Sequence, residues 1–183
     1  IEAVEKGVVH PGDISGVQRE QLKSIPDANL AERAGKLFEE SSSEAKLTAR
    51  IARYRRALDN RTDPAKGKVV YQKNCIVCHK LGDEGNEVGP SLGSITGKPD
   101  ESVLMDILDP NGKIEPEYKL YLISADGGKV HAGVLASESP TSVILKRVDG
   151  GTDVILRKDI IQMTASELSL MPANLHVQIN PQD

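Results

Sequence analysis

The sequence is poor in aromatic residues, with no tryptophan, one phenylalanine and four tyrosines, together 3% of its 183 residues. A hydrophobic core must therefore be built from aliphatic side chains, or it must include a group that is not protein. No apolar run approaches the roughly 20 residues that a membrane-spanning helix needs, so the sequence predicts no membrane span. Acidic residues outnumber basic ones by 27 to 23, which disfavours a protein that binds nucleic acid through its phosphates.

The remaining composition is that of a folded protein. Apolar residues make up 38% of the chain and charged residues 27%, which disfavours extensive disorder. The length is typical of one domain or two small ones. Because the chain begins at Ile1 and shows no apolar signal segment, we expect a processed form or a piece of a longer protein.

Cysteine is also scarce, but the two cysteines present lie three positions apart and are followed directly by a histidine, as Cys75-Ile76-Val77-Cys78-His79. This is the C-x-x-C-H pattern of c-type haem attachment. Two thiols one helical turn apart can form thioether bonds with the two vinyl groups on one edge of a porphyrin, and the next imidazole can bind the iron. The motif therefore predicts one covalent haem c, attached through Cys75 and Cys78, with His79 as the proximal ligand.

Three other interpretations account for part of this motif. A disulfide redox pair uses C-x-x-C but has no need of His79, and no thioredoxin-like βαβ pattern surrounds it. A zinc site needs a fourth ligand, which only the distant His10, His131 or His176 could supply. A chance occurrence is disfavoured because the motif uses every cysteine of the chain.

The segment before the motif resembles the first helix of cytochromes c. Asp63 and Pro64 have the residue types of a helix N-cap and a first helical position. Gly67 and Tyr71 are four residues apart and so lie on one face of the helix that follows. The resemblance implies that another helix crosses closely at Gly67 and that Tyr71 packs beside the haem.

The segment after the motif also resembles cytochromes c, through Gly89-Pro90-Ser91-Leu92. In that family a proline at this distance offers its carbonyl to the proximal histidine, which fixes the imidazole tautomer and makes Nε2 a better iron ligand. The resemblance implies this role for Pro90 and implies that Leu92 packs on the porphyrin. An ordinary Gly-Pro turn is the alternative.

A sixth iron ligand must come from elsewhere in the chain. Met171 is followed by Pro172, which disfavours a helix and holds the backbone extended. Cytochromes c commonly present the distal thioether from such a Met-Pro loop, so the resemblance implies Met171 as the ligand. A buried Met171 that only fills space, and an open sixth site, are alternatives.

Other side chains could also bind the iron or fill the core. Met105 lies beside the acidic face of an amphipathic helix over residues 100–109. Met163 follows two isoleucines, and we expect it in the core. His131 and His176 are the remaining alternatives as sixth ligand.

Residues 1–62 are predicted to form a polar helical extension. Apolar residues at helical spacing indicate helices over residues 15–24, 29–40 and 43–58. The last of these carries a basic patch of Arg50, Arg53, Arg55 and Arg56. Such a patch could bind an acidic partner or a haem propionate, and it could also be a solvated helix face.

After Pro116 the hydrophobic period changes from 3.6 to 2, which predicts strands. Two Asp-Gly-Gly turns separate them, at Asp126 and Asp149. We predict four antiparallel strands, as a sheet or partial barrel inserted at about residues 117–158, over 119–125, 129–136, 141–148 and 152–157. A turn or 3₁₀ segment follows from Asp159. We expect the ends of the insert, near Pro116 and Asp159, to lie close together while the sheet stands off the haem-binding helices.

This order of elements resembles the c-type haem-binding domains of planctomycetes and verrucomicrobia. The resemblance covers about residues 64–175 and rests on these residues: Gly67, Cys75, Cys78, His79, Gly89, Pro90, Leu92, Ile107, Leu108, Asp109, Pro110, Asp126, Gly127, Asp159, Ile160, Ser169, Leu170, Met171 and Pro172. It implies an α+β fold in which a helical haem bracket carries the β-insert, with domain limits 1–62, 63–175 and a tail over 176–183. Such domains usually continue with an aromatic-bearing helix that crosses at Gly67. Residues 173–183 contain no aromatic, so we expect either that an N-terminal helix makes this contact or that the haem crevice is looser.

The predicted function is electron transfer by one haem with His79 and Met171 as axial ligands, in an electron carrier rather than an enzyme. The resemblance implies redox protein partners or a fused dehydrogenase module. Thioether attachment of haem takes place outside the bacterial cytoplasm, so we expect a periplasmic or other extracytoplasmic location. The alternatives are a gas sensor or redox enzyme domain with an open or displaceable sixth site, and a module in which haem mainly supplies a core.

Overall fold

The computed structural model describes residues 1–9, 14, 16–41, 44–59 and 61–181. These residues form an α+β structure with helices before and around a single antiparallel sheet. The helices are α1 (Glu2–Glu5), α2 (Gly16–Lys23), α3 (Ala28–Ser41), α4 (Glu44–Arg55), α5 (Pro64–Asn74), α6 (Asp100–Leu108) and α7 (Leu175–Gln178). The strands are β1 (Leu120–Ala125), β2 (Lys129–Glu138), β3 (Ser142–Lys146), β4 (Thr152–Leu156) and β5 (Ile160–Ala165).

The N-terminal part is helical, as the sequence predicts. The predicted first residues of two helices, Ser15 and Ser43, lie outside the described residues. Helix α3 starts where the carboxylate of Asp27 accepts a hydrogen bond from the amide of Leu30, at 3.0 Å, because the first amides of a helix lack partners within it. No helix in the described ranges is long and apolar enough to cross a membrane.

Helix α5, which leads into the cysteine motif, begins as predicted. The carboxylate of Asp63 accepts hydrogen bonds from the amides of Ala65 and Lys66, at 3.1 and 3.2 Å. Pro64 occupies the first helical position, where its missing N–H costs nothing. Tyr71 on this helix is buried.

The sheet has five strands, so the prediction of four is wrong. The strand order is β4-β3-β2-β1-β5, and the added strand is β5, whose first residues the sequence analysis assigns to a turn. Strand β5 pairs with β1 through contacts such as Ile123 with Met163. Its mixed burial explains the error, because a strand with only two half-buried residues has little hydrophobic alternation to detect.

The sheet is curled where β4 leads into β5. Strands β4 and β5 lie at opposite edges, and four spacings of about 4.8 Å would separate them by about 19 Å in a flat sheet. Leu156 and Ile160, which end β4 and begin β5, are only four residues apart and can span at most about 14 Å. The edges must therefore bend toward each other.

Aliphatic side chains on one face of this sheet form a core. The buried cluster consists of Ile123, Ala125, Val143, Leu145 and Ile155. Met163 packs against it, as expected of a core residue. The ends of the insert that meet are the start of β1 and the end of β5, where Tyr121 pairs with Ala165. Asp159 lies at the other end of the sheet, because β5 itself carries the chain back.

Candidate haem attachment site

The cysteine motif continues directly from the end of α5 as a hydrogen-bonded turn. The amide of Cys75 donates to the carbonyl of Tyr71 at 2.8 Å, and the amides of Cys78 and His79 donate to the carbonyl of Cys75 at 3.0 and 2.9 Å. Local backbone bonds therefore fix the relative positions of the three motif residues.

Both thiols are free and half-buried. Burial raises the pKa of the Cys75 thiol. Burial, followed by the proximity of Cys75, also raises the pKa of the Cys78 thiol. Both groups are therefore neutral S–H groups at neutral pH, with no disulfide between them.

The imidazole of His79 is oriented by the loop that follows the motif. Its Nδ1 lies 2.7 Å from the carbonyl oxygen of Pro90. Since a carbonyl only accepts, Nδ1 carries the proton and donates, which leaves the lone pair of the neutral ring on Nε2. Within the part of the chain that the structure describes, Nε2 makes no hydrogen bond. It is therefore available to bind a metal.

Two glycines give the His79 segment the space it occupies. A Cβ atom at Gly89 would lie 2.6 Å from Cε1 of His79. Gly85 has a φ of +91°, and a Cβ there would collide with the carbonyl oxygen of His79. The hydroxyl of Tyr71 lies 2.9 Å from the carbonyl oxygens of both His79 and Glu84. These contacts define a cradle shaped around the His79 backbone and ring.

The other residues implied by the resemblance are placed less tightly. Leu92 is half-buried, and its amide donates to the carbonyl of Lys80 at 2.8 Å. Gly67 has no described atom within 4 Å of where its Cβ would be. No described helix therefore crosses at Gly67, so the N-terminal helices do not take over that contact.

Met171 lies in the loop between β5 and α7, and backbone amides of this loop donate hydrogen bonds to side chains. The amide of Met171 donates to Oγ of Ser169 at 3.1 Å, and the amide of Ser169 donates to Oδ1 of Asn111 at 2.8 Å. Ser166, which is buried, accepts from the amide of Leu168 at 2.9 Å. These bonds fix a non-helical conformation, as the Met-Pro pair predicts.

The Met171 loop borders a cavity of about 570 Å³ that also reaches the motif. Ile76 and Val77, the two residues between the cysteines, line it together with Met171. Arg19 of α2 lines it as well. Cys75, Cys78 and His79 are not among its lining residues. The fold thus brings Met171 to the cysteine turn, while a link between Met171 and His79 stays a prediction.

We expect the sheet to stand off the haem-binding helices, but its β3–β4 turn packs against residues 80–89, the loop that follows His79. The side-chain amide of Asn86 donates to the carbonyl of Val77 at 2.9 Å, and a Cβ at Gly150 would lie 2.5 Å from Nδ2 of Asn86. The sulfur of Cys78 lies 3.7 Å from the carbonyl oxygen of Val148. Sequence reasoning missed Asn86 because no local pattern indicates a contact 64 residues away.

Lys146 adds a second link between the sheet and this loop. The Nζ of Lys146, at the end of β3, donates to the carbonyl of Glu87 at 2.6 Å. Val88, the next residue, is buried and lines a second cavity of about 310 Å³ with Val134 of β2. The loop between the motif and Pro90 is therefore held from the sheet side.

The alternative histidine ligands are engaged elsewhere. His131 places Nδ1 2.6 Å from a carboxylate oxygen of Asp153, and His176 places Nδ1 3.1 Å from a guanidinium nitrogen of Arg50. His10 lies outside the described residues. Among the described residues, no three His, Cys, Asp or Glu side chains converge to hold a metal ion, which disfavours the zinc interpretation.

The residues present fit a covalently attached haem. Cys75 and Cys78 offer two unpaired thiols one turn apart, and His79 offers an oriented imidazole whose ring occupies space that only glycine at position 89 leaves open. A site of this kind needs no further protein ligand on the proximal side.

Comparison with known proteins agrees with this fit. No curated protein matches the chain. The family model of cytochrome c matches residues 64–121, about a third of the chain. The matched segment includes α5, both cysteines, His79 and Pro90, and it ends before Met171. Residues 64–121 are therefore similar to cytochrome c, and this similarity supports a c-type cytochrome with covalently bound haem in that part of the chain.

Proposed function

We propose that this protein is an electron carrier with one haem c attached through Cys75 and Cys78, and with His79 and Met171 as the axial iron ligands. The observation that carries the proposal is the 2.7 Å contact between Nδ1 of His79 and the Pro90 carbonyl. It leaves the Nε2 lone pair for the iron and strengthens it as a donor. Iron held in this way supplies a one-electron couple.

Attachment needs only the groups that the chain offers. Each thiol adds across a vinyl C=C bond, so that an S–C and a C–H bond form and no oxidant is consumed. Because this reaction takes place outside the bacterial cytoplasm, the proposal includes an extracytoplasmic location and redox proteins, or a fused dehydrogenase module, as partners.

A haem enzyme or sensor with an open sixth site is supported less well. Peroxide or gas chemistry uses a distal acid or base, commonly a histidine or an arginine. His131 and Arg147 are both bound to the carboxylate of Asp153, at 2.6 Å each. The Met171 loop, by contrast, offers a soft neutral ligand that favours ferrous iron.

The attachment is tested with the serine variants of the two cysteines. In the denatured ferrous pyridine complex, the visible absorption band of the wild type should be that of a haem with both vinyl groups saturated. Cys75→Ser and Cys78→Ser should each shift this band to longer wavelength. The double variant should lose its haem on acid extraction. Val77→Ser, which adds a serine within the motif at a side chain that is 52% exposed, is the matched control. A double variant that keeps non-extractable haem would contradict the proposal.

The electron-carrier role is tested on the ferrous protein. We expect a reversible one-electron couple in voltammetry and slow CO binding, because the thioether must leave first. Rapid CO binding by the wild type would favour the sensor or enzyme alternative instead.

A further inference from the structure

Helix α4 of the N-terminal extension contacts the segment that follows Met171. Tyr54 on α4 is buried, with 5% of its surface exposed. Its hydroxyl lies 2.6 Å from the carbonyl oxygen of Ile179 and also within hydrogen-bond distance of the carbonyl of His176. Helix α7 has only four residues, so its last carbonyls need partners from outside the helix. Tyr54 supplies one.

A second residue on the same face of α4 makes a related contact. Arg50 lies one turn before Tyr54, and residues four apart share a helix face. Its Nη1 lies 3.3 Å from the carbonyl oxygen of Ala173 and 3.1 Å from Nδ1 of His176. The two side chains therefore contact the backbone from Ala173, two residues after Met171, to Ile179.

The Met171 loop is thus held on both sides. Before Met171, Ser169 and Asn111 fix the backbone, and after Met171 the contacts come from α4. No described atom packs where the crossing helix at Gly67 was expected, so that contact does not order the end of the chain. A helix of four residues is marginal without outside contacts. Helix α6 packs against α7, and α4 adds side-chain hydrogen bonds to the backbone of residues 173–179.

We propose that Tyr54 and Arg50 are positioning residues that keep Met171 in place as an iron ligand. The inference rests on the proposed function and assigns α4 a role in positioning a ligand of the haem site. Fixing the backbone of a residue in one conformation costs conformational entropy. Because α4 already holds this segment, keeping the Met171 thioether at a bound haem iron would cost less entropy, and the sulfur would dissociate less often.

Tyr54→Phe is the sharpest test, because it removes the hydroxyl and keeps the buried ring. Two readouts are measured on the holoprotein: hydrogen exchange of the Val177 and Ile179 amides, which bond to Asn174 and Leu175, and the rate of CO binding to the ferrous form. Loss of one hydrogen bond of typical net strength predicts that both rates rise by about five- to tenfold. Tyr121→Phe, at a half-buried tyrosine of β1, is the control and should change neither rate.

Arg50 provides an independent variant. Arg50→Met should raise the rate of CO binding and lower the reduction potential slightly, because a less firmly held thioether stabilises ferrous iron less. Arg50→Lys keeps a donor that can reach one acceptor and should restore part of the wild-type behaviour.

The outcomes separate this proposal from the ligation on which it rests. Unchanged exchange and CO rates in Tyr54→Phe overturn the positioning role, and so does faster exchange with an unchanged CO rate. Met171→Ala is measured alongside. If the wild type already binds CO as fast as Met171→Ala, then Met171 is not a ligand and both proposals fail.

Discussion

The imidazole of His79 lies against the backbone of Gly89, at a distance that leaves no room for a side chain. A Cβ atom at position 89 would lie 2.6 Å from Cε1 and 3.1 Å from both Nδ1 and Nε2 of the ring. Because the same ring is fixed by its bond to Pro90, it cannot move aside without losing that bond. The glycine is therefore required by the histidine rather than by its own backbone conformation.

The first prediction follows from this contact. Gly89→Ala should displace the His79 ring and lower the haem bound per chain several-fold. Gly97→Ala, where no described atom lies within 4 Å of the new Cβ, should keep the wild-type haem content. The measurement is the ratio of Soret to protein absorbance after purification. A Gly89→Ala protein with full haem content and an unchanged ferric spectrum would show that the His79 ring is not held as described.

The second prediction concerns the sixth ligand. Met171→Ala should abolish the weak long-wavelength band that a thioether gives on ferric haem, lower the reduction potential and allow fast CO binding. Met105→Ala and Met163→Ala should leave all three unchanged, although the latter removes a contact of the sheet core. Persistence of the band in Met171→Ala would mean that another methionine supplies the thioether, and absence of the band in the wild type would make His131 or His176 the next candidate.

The third prediction is a pH dependence at the end of the sheet. Hydrogen bonding to His131, and then to Arg147, lowers the pKa of the Asp153 carboxyl. Since the folded pKa lies below the unfolded one, this group stabilises the fold above the ordinary aspartate pKa of about 3.9, and the contribution is lost as the pH falls through the folded value.

Asp153→Asn tests this direction of the pH dependence. The variant should unfold more easily than the wild type by about 1 kcal/mol at neutral pH, and the difference should shrink on acidification below about pH 4. Denaturant unfolding at several pH values measures it. Asp126→Asn in the β1–β2 turn, an exposed carboxylate with no ion pair among the described residues, is the control. A difference that grows toward acid pH would reverse the assignment.

The fourth prediction concerns the curled sheet. Ile123 is fully buried in its core, so Ile123→Ala should lower the free energy of unfolding by about 2–5 kcal/mol. Ile161→Ala, on the added strand with 68% of its surface exposed, should cost well under 1 kcal/mol. Equal losses at both positions would mean that the cluster around Ile123 is not the core.

The sequence alone was sufficient for features that depend on neighbouring residues. The Cys75-x-x-Cys78-His79 spacing indicates haem attachment because the chemistry requires both thiols and the imidazole within one turn. Asp63 and Pro64 predict the start of α5 because capping is a local hydrogen-bond requirement, and the structure has both in place. The hydrophobic alternation after Pro116 predicts four of the five strands for the same reason.

Only the tertiary structure decided which distant segments meet. Strand β5 has weak alternation and is defined by its pairing with β1, and Asn86 contacts Gly150 only because the β3–β4 turn packs against the loop after His79. The contacts of Tyr54 and Arg50 with residues 173–179 join parts of the chain more than 120 residues apart. Local sequence cannot specify such contacts, because they depend on how all the intervening elements pack, and hydrophobic burial is non-directional.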